Sequence, residues 1–150
     1  MNTVEKLNAI GRLNITVFDA AGNIKDEANV NNLVVNSGLA FIAARMKDAS
    51  ANVMSHMAVG SGTAAAAGAN TALGTELGRV TLTSTTVTGN EVAYVATFGP
   101  GTGTGAVTEA GIFNAATDGT MLCRTVFPVV NKEATDTMSI SWTITIGAGA

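Results

Sequence analysis

Residues 137–146 alternate strictly between large apolar and small hydroxyl side chains. A period of two places all the large side chains on one face of a strand and all the hydroxyls on the other. The sequence therefore predicts a strand that is buried on one face only, with its Ser/Thr face toward water or a neighbouring subunit. The apolar positions are Met138, Ile140, Trp142, Ile144 and Ile146.

Shorter apolar runs with strand character precede this one, and turn signals at 19–23, 89–90 and 118–119 separate several of them. Strand-sized runs spaced roughly ten residues apart are typical of a β-sandwich. We therefore expect a single, mostly β domain over residues 1–150, built as an antiparallel β-sandwich of the jelly-roll or immunoglobulin-like type. The predicted strands are 13–18, 24–30, 54–60, 80–88, 91–98, 107–113 and 121–127, the last ended by Pro128.

One segment has helical periodicity, and we predict a short α-helix over residues 37–48. Leu39, Ile42 and Met46 recur there at the spacing of one helix face. Ser37 can cap the N-terminus, and basic residues near the other end suit the helix dipole. The helix is therefore expected to be amphipathic.

The composition is poor in charged residues, which make up 13% of the chain against a usual share of about 25%. A net charge of −3 without a basic run gives no electrostatic footprint for nucleic acid. No apolar stretch is long enough to cross a membrane as a helix. So few charges leave much neutral surface, and neutral surface often contacts other subunits.

The first eleven residues carry Glu5 and Lys6 and lack the apolar core of a secretory signal. We therefore expect synthesis and assembly in a cytoplasm, with residues 1–11 as an arm that reaches a neighbour. Cys123 is the single cysteine and lies in a strand-like run, so it is expected to be a buried thiol that behaves as a small hydrophobe.

Few residues are candidates for catalysis or metal binding. His56 is the single histidine and has no nucleophile or carboxylate in a motif beside it, so we expect a structural or surface role. One His and one Cys are too few for a closed zinc site. Asp19, Asp26 and Glu27 flank a predicted hairpin, but their spacing is not that of a calcium loop, and they are expected to be solvated turn carboxylates.

Two further features superficially suggest chemistry. The glycine-rich run 99–105 resembles a phosphate loop, but a strand rather than a helix follows it, so we predict a flexible loop between strands. Glu109 lies just before an apolar run and is expected to accept backbone N–H bonds or to meet Arg79 or Arg124, which would stabilise structure without chemistry. No catalytic, cofactor-binding or metal-binding residue is therefore assigned, no cofactor is expected, and the chain is not expected to be an enzyme.

Short segments spread along the chain resemble small virion structural proteins of tailed bacteriophages. The matching segments span most of the chain, from about residue 11 to residue 146. They are 32–39, 57–63, 70–77 and 108–114, together with the alternating end around Trp142. The resemblance implies no catalytic residue.

The resemblance implies a non-enzymatic structural protein present in many copies on the outside of the virion. Its place would be head decoration (cement across capsomers) or attachment of a collar or tail fibre. The implied partners are further copies of the chain, as a trimer, and virion proteins such as the major capsid, collar or tail components. The expected contact elements are the 1–11 arm, the 61–78 loop and the 99–105 loop.

The alternative is a receptor- or carbohydrate-binding β-sandwich module of a tail fibre. Such sites usually present exposed aromatic rings, so exposure of Trp142 and Tyr94 on one patch would favour this alternative. An enzyme is the third hypothesis, and turnover that disappears on mutation of His56 or Glu109 would support it.

Overall fold

The computed structural model describes residues 6–148, which form nine strands and one helix. No helix in this part of the chain is long and apolar enough to cross a membrane. In chain order the elements are β1 (Leu7–Phe18), β2 (Ile24–Val34), α1 (Asn36–Arg45), β3 (His56–Gly60), β4 (Glu76–Thr81), β5 (Ser84–Thr88), β6 (Glu91–Phe98), β7 (Gly105–Phe113), β8 (Met121–Lys132) and β9 (Thr137–Ala148).

All nine strands belong to one sheet with the order β4-β3-β7-β8-β2-β1-β9-β6-β5, and every neighbouring pair is antiparallel. The sheet curls into a half-barrel. The prediction of a mostly β, antiparallel fold with one short helix is confirmed. The more specific prediction of a jelly-roll or immunoglobulin-like sandwich stays a prediction, because the strands form one continuous sheet.

Strand β2 turns the sheet from one half into the other. Its residues from Ile24 to Asn32 pair with β1, whereas only Leu33 and Val34 pair with β8. The first half therefore contains β2, β1, β9, β6 and β5, and the second contains β8, β7, β3 and β4. Apolar side chains of both halves meet in one core inside the curl.

The alternating terminal strand lies in the middle of the first half, between β1 and β6. Met138, Ile140 and Trp142 are fully buried, as the period of two predicts. Their neighbours across β1 are Leu13, Ile15 and Val17, which are also fully buried. The prediction of which face is buried is confirmed here, and the structure adds the register with β1.

The two outermost strands, β4 and β5, lie at opposite ends of the strand order but follow each other along the chain. Only Leu82 and Thr83 join them, so the predicted strand 80–88 is divided in two. Leu82 N donates to Ser55 O at 2.9 Å, and Thr83 N donates to Val95 O at 2.7 Å. This short link therefore ties one half of the sheet to the other.

The helix differs from its prediction in bounds, cap and buried face. It begins at Asn36 after Val35, and the hydroxyl of Ser37 donates to Met121 O instead of capping the helix. Gly38 is the buried residue of the helix. It lies so close to β8 that a Cβ there would collide with the backbone carbonyl of Leu122. Leu39 and Met46, predicted to lie on the packed face, are 47% and 87% exposed; the partly buried apolar side chains are Phe41 and Ile42.

Pro128 does not end β8, which continues to Lys132. The register between β7 and β8 shifts here, with Val107 opposite Val130 and Glu109 opposite Val126. Pro128 lies within this bulge and is exposed, so its missing N–H costs no ladder bond.

Part of the predicted N-terminal arm is strand. Residues 7–11 belong to β1 and pair with β9, while residues 1–5 lie outside the described part of the chain. The predicted 61–78 loop ends at residue 75, because β4 already begins at Glu76.

Candidate functional site

Glu109 is the most enclosed ionisable residue on the side of β7 that faces away from the core. Its side chain is fully buried, although it is a carboxylate. Oε1 accepts the backbone N–H groups of Gly62 at 2.9 Å and Thr75 at 2.8 Å, and Oε2 accepts that of Gly74 at 2.9 Å. The carboxylate therefore holds both ends of the loop formed by residues 61–75.

Arg124, on the neighbouring strand β8, completes this arrangement. Its Nε and Nη2 atoms donate to Glu109 Oε2 at 3.1 and 2.8 Å. The guanidinium also donates to Asn70 Oδ1 and to Ala64 O, both at 3.0 Å. Glu109 is predicted from the sequence to accept backbone N–H bonds or to meet Arg79 or Arg124; the structure confirms the backbone bonds and, of the two arginines, Arg124.

Small residues on β3 and β7 let the 61–75 loop approach the sheet closely. A Cβ at Gly60 would collide with Thr75 O, and one at Gly111 would lie 3.2 Å from Leu73 Cδ2. Leu73 in turn packs on a second, smaller apolar cluster that includes Ala58 and Phe113. The long loop is thus a fixed layer over the outer side of the second half.

The environment of Glu109 favours its charged form. Burial by itself raises the pKa of this carboxyl. The backbone N–H bonds from Thr75, Gly74 and Gly62 and the bond from Arg124 act in the opposite direction, and the net pKa lies below its ordinary value. A carboxylate held ionised by structural donors is a poor proton donor or acceptor near neutral pH.

Arg79, the other predicted partner of Glu109, binds different groups. Its guanidinium lies over the Phe113 ring, with 3.8 Å between Cζ and the ring centroid, and donates to Glu76 at 2.7 Å. Nη1 donates to the carbonyls of Ala115 and Asp118, both at 2.9 Å. Arg79 therefore fixes the turn between β7 and β8.

The glycine-rich loop 99–105 is also held by the sheet. Lys132, which is 1% exposed, donates from Nζ to Gly99 O at 2.9 Å, and Gly101 N donates to Ala134 O at 2.8 Å. Burial lowers the pKa of the Lys132 ammonium. The loop leads into strand β7 and not into a helix, so the helix start that a phosphate cradle needs is missing at its end.

Asp136 forms the third buried polar contact, next to this loop. It accepts Lys25 Nζ at 2.7 Å and Glu133 N at 2.8 Å. The hydrogen bond from Lys25 is the main reason that the pKa of the Asp136 carboxyl lies below its ordinary value. Sequence reasoning missed this ion pair, because 111 residues separate its partners.

The remaining candidates from the sequence lie apart from these contacts. His56 Nδ1 is 2.8 Å from Ser55 Oγ, at the start of β3. Asp19 accepts the backbone N–H groups of its own turn, and Asp26 accepts that of Glu27. Within residues 6–148, no group of three or more His, Cys, Asp or Glu side chains is arranged to hold a metal ion.

Cys123, Trp142 and Tyr94 are all buried. Cys123 is fully buried with a free thiol, as predicted, and burial raises the pKa of that thiol well above its ordinary value. Trp142 is fully buried and Tyr94 is 8% exposed. The aromatic patch that would favour a carbohydrate-binding module is therefore not formed by these two rings.

Short polar side chains line most of the outer face of the first half, and we call it the hydroxyl face. Cross-strand register places its side chains in rows, such as Asn29, Asn14, Ser141, Val95 and Ser84. The next row contains Glu27, Thr16, Ser139 and Thr97, and a third contains Asn31, Arg12, Thr143, Ala93 and Thr86.

Charges on the hydroxyl face are few: Arg12, Glu27 and Glu91 are spread over its five strands. The sequence indicated the Ser/Thr positions of β9, but not that four other strands extend them into one surface. The alternation of Asn14 and Thr16 with buried residues in β1 is the signal that points to this extension.

Comparison of this chain with protein-family models, with curated proteins and with solved structures finds no match.

Proposed function

We propose that this protein is a non-enzymatic structural component of a tailed-phage virion, present in multiple copies on the outside of the particle. Its role is head decoration or attachment of a collar or tail fibre. Its partners are further copies of the chain and other virion proteins, such as the major capsid, collar or tail components. The observation that carries this proposal is the hydroxyl face, together with the resemblance of the sequence to small virion proteins.

A face of Ser, Thr and Asn side chains suits repeated subunit contacts. These side chains are short, so ordering them in an interface costs less entropy than ordering Lys or Glu. Charged residues are depleted in the centres of protein interfaces, and only Arg12, Glu27 and Glu91 interrupt this face. Copies related by symmetry can then meet without placing like charges together.

The buried ionic contacts support a role that depends on shape. Glu109 with Arg124 and Asp136 with Lys25 each bind backbone groups of nearby segments. The first pair holds the 61–75 loop against the sheet, and the second ties the 133–136 turn to β2, so the chain presents one defined surface to its neighbours. We also propose that the two halves act as the layers of a β-sandwich, because their apolar faces share one core.

The experiment is electron microscopy of virions assembled without this protein. A bare but intact head indicates decoration, and missing fibres or a missing collar indicates attachment at the tail. Particles of normal appearance and normal protein content would contradict both versions of the proposal.

A paired variant tests the hydroxyl face itself. Ser141→Glu places a charge in the middle of this face, whereas Thr117→Glu places the same charge on an exposed turn between β7 and β8. We expect Ser141→Glu to reduce incorporation into particles several-fold and Thr117→Glu to leave it unchanged. Equal incorporation of both folded variants would show that the face is not a contact surface.

A further inference from the structure

Strand β5 forms one edge of the sheet and has no protection against pairing with another chain. Within residues 6–148, Ser84–Thr88 pairs with β6 only, and all five of its residues are exposed. Its sequence is Ser, Thr, Thr, Val and Thr, without a charge or a proline. Natural edge strands usually carry charges, prolines or bulges that prevent such pairing.

Two other open edges, those of β4 and β2, differ from β5 in this respect. Strand β4 carries Glu76 and Arg79, which bind each other. The free part of β2 carries Lys25, Asp26 and Glu27. Of these three edges, β5 is therefore the one where a second strand meets no charge.

The turn between β5 and β6 determines which backbone groups of β5 are free. Thr88 and Glu91 flank the two-residue turn and form a hydrogen-bonded pair in such hairpins. Hydrogen-bonded and non-hydrogen-bonded pairs alternate along an antiparallel ladder. Thr86 thus bonds to β6, while the N–H and C=O groups of Thr85 and Val87 point toward the open side.

We propose that two copies of this chain pair through β5, antiparallel, about a two-fold axis at Thr86. Thr85 of one copy then lies opposite Val87 of the other, and each such pair exchanges both of its N–H···O=C bonds. The edge is its own complement in this register, because the free groups lie symmetrically on either side of Thr86. Val87, 69% exposed in the single chain, is covered by Thr85 of the second copy.

This contact deepens the proposed assembly role, since it joins the hydroxyl faces of two copies into one continuous surface. Pairing of one short strand buries less than the ~1,200 Å² typical of stable interfaces. We therefore expect association in solution that depends on concentration between micromolar and millimolar protein. The product is a dimer, which its mass distinguishes from the trimer that the resemblance implies.

Disulfide cross-linking tests the register. A Thr86→Cys thiol would face its symmetry mate in a non-hydrogen-bonded pair, with Cα atoms ~4.5 Å apart, within the range for a disulfide. A Thr88→Cys thiol would lie opposite Ser84 of the second copy, ~13 Å along the strand from its own mate. The native Cys123 is buried and adds no background in the folded chain.

We expect the Thr86→Cys protein to form disulfide dimers under mild oxidation at least about ten times faster than the Thr88→Cys protein. Equal rates, or no dimer from Thr86→Cys, would overturn the proposed register.

Sedimentation velocity of a second pair of variants tests the backbone contact. Thr85→Pro removes the outward N–H without removing a bond to β6, and Thr85→Ser keeps that N–H. We expect self-association of the folded Thr85→Pro protein to weaken by at least about tenfold, the loss expected from removing hydrogen bonds of this kind, with that of Thr85→Ser unchanged. A folded Thr85→Pro protein that associates like the wild type overturns the inference, and if it does not fold, the cysteine pair decides.

Particle incorporation separates this inference from the proposed function. A chain that pairs through β5 but is absent from virions would disprove the virion role and leave the pairing intact. If the wild-type chain stays monomeric and a Thr85→Pro chain enters virions normally, the pairing through β5 is disproved and the virion role remains.

Discussion

Trp142 and Asn32 are hydrogen-bonded to each other across strand β1. Trp142 Nε1 donates to Asn32 Oδ1 at 2.9 Å, although 110 residues separate the two in sequence. Gly11 of β1 lies opposite Asn32, and a Cβ there would occupy the position of the Asn32 amide. The missing side chain at Gly11 therefore gives the indole of β9 a polar partner at the end of β2.

We expect Trp142→Phe to lower the free energy of unfolding by about 2 kcal/mol or more, because it leaves Asn32 Oδ1 without its donor in addition to losing buried ring atoms. Tyr94→Phe, which removes one hydroxyl from the same core and no ring atoms, is the control. Urea denaturation followed by circular dichroism measures both. Equal losses would mean that the indole bond contributes little.

Replacement of Glu109 is expected to be the most destabilising single polar change. Glu109→Gln leaves the buried Arg124 guanidinium without a counter-charge, which typically costs 3–5 kcal/mol, or about half of a small domain's stability. Glu27→Gln, on the exposed hydroxyl face, is the control and should change stability by less than about 0.5 kcal/mol. Trp142 fluorescence reports the unfolding, because the indole is fully buried in the native state.

The lowered pKa of Glu109 predicts that the fold is less stable in acid. The pKa of Glu109 is lower in the folded chain than in the unfolded one, so its contribution is complete above the ordinary glutamate pKa of about 4.3. As the pH falls through the lower folded-state value, the contribution is lost. We expect the free energy of unfolding to decrease between about pH 5 and pH 3.

In Glu109→Gln, the free energy of unfolding should decrease less over that range. Asp136, whose pKa is also lowered in the folded chain, should account for part of the pH dependence that remains. Denaturant titrations at several pH values measure both slopes. An unchanged slope in Glu109→Gln would show that the carboxylate is not the group responsible.

A pair of glycines tests the seating of the helix. Gly38→Ala would push a methyl group against the Leu122 carbonyl, and we expect overpacking of this kind to cost roughly 1–3 kcal/mol. Gly99→Ala is the control, because nothing lies within 4 Å of the added Cβ. Thermal unfolding compares them, and equal melting temperatures would contradict the close approach of α1 to β8.

Local patterns predicted the strands because a period of two fixes which side chains share a face. Met138 to Ile144 in β9 and Val92 to Phe98 in β6 follow that rule without interruption. The contact between Glu109 and Arg124 was predictable in kind, since a carboxylate before an apolar run needs donors. The sequence could not specify the three loop amides that supply most of them.

The errors have physical causes that lie outside any single segment. Leu39 and Met46 fit a helix face, but the face that packs is set by the missing side chain of Gly38. Pro128 is tolerated because β7 supplies the opposing half of a bulge. Which strands become edges, and therefore whether β5 is free, depends on how the whole sheet curls.

The place of β9 in the sheet has a consequence for biosynthesis. Its hydrogen bonds join β1 to β6, yet it is the last of the nine described strands to be synthesised. Until then the hairpins β1–β2 and β5–β6 are separate, because β1 and β6 both lack their shared neighbour β9. Non-local pairings of this sort form slowly. Formation of the five-stranded half of the sheet, and with it of the hydroxyl face, is thereby postponed until β9 has been synthesised.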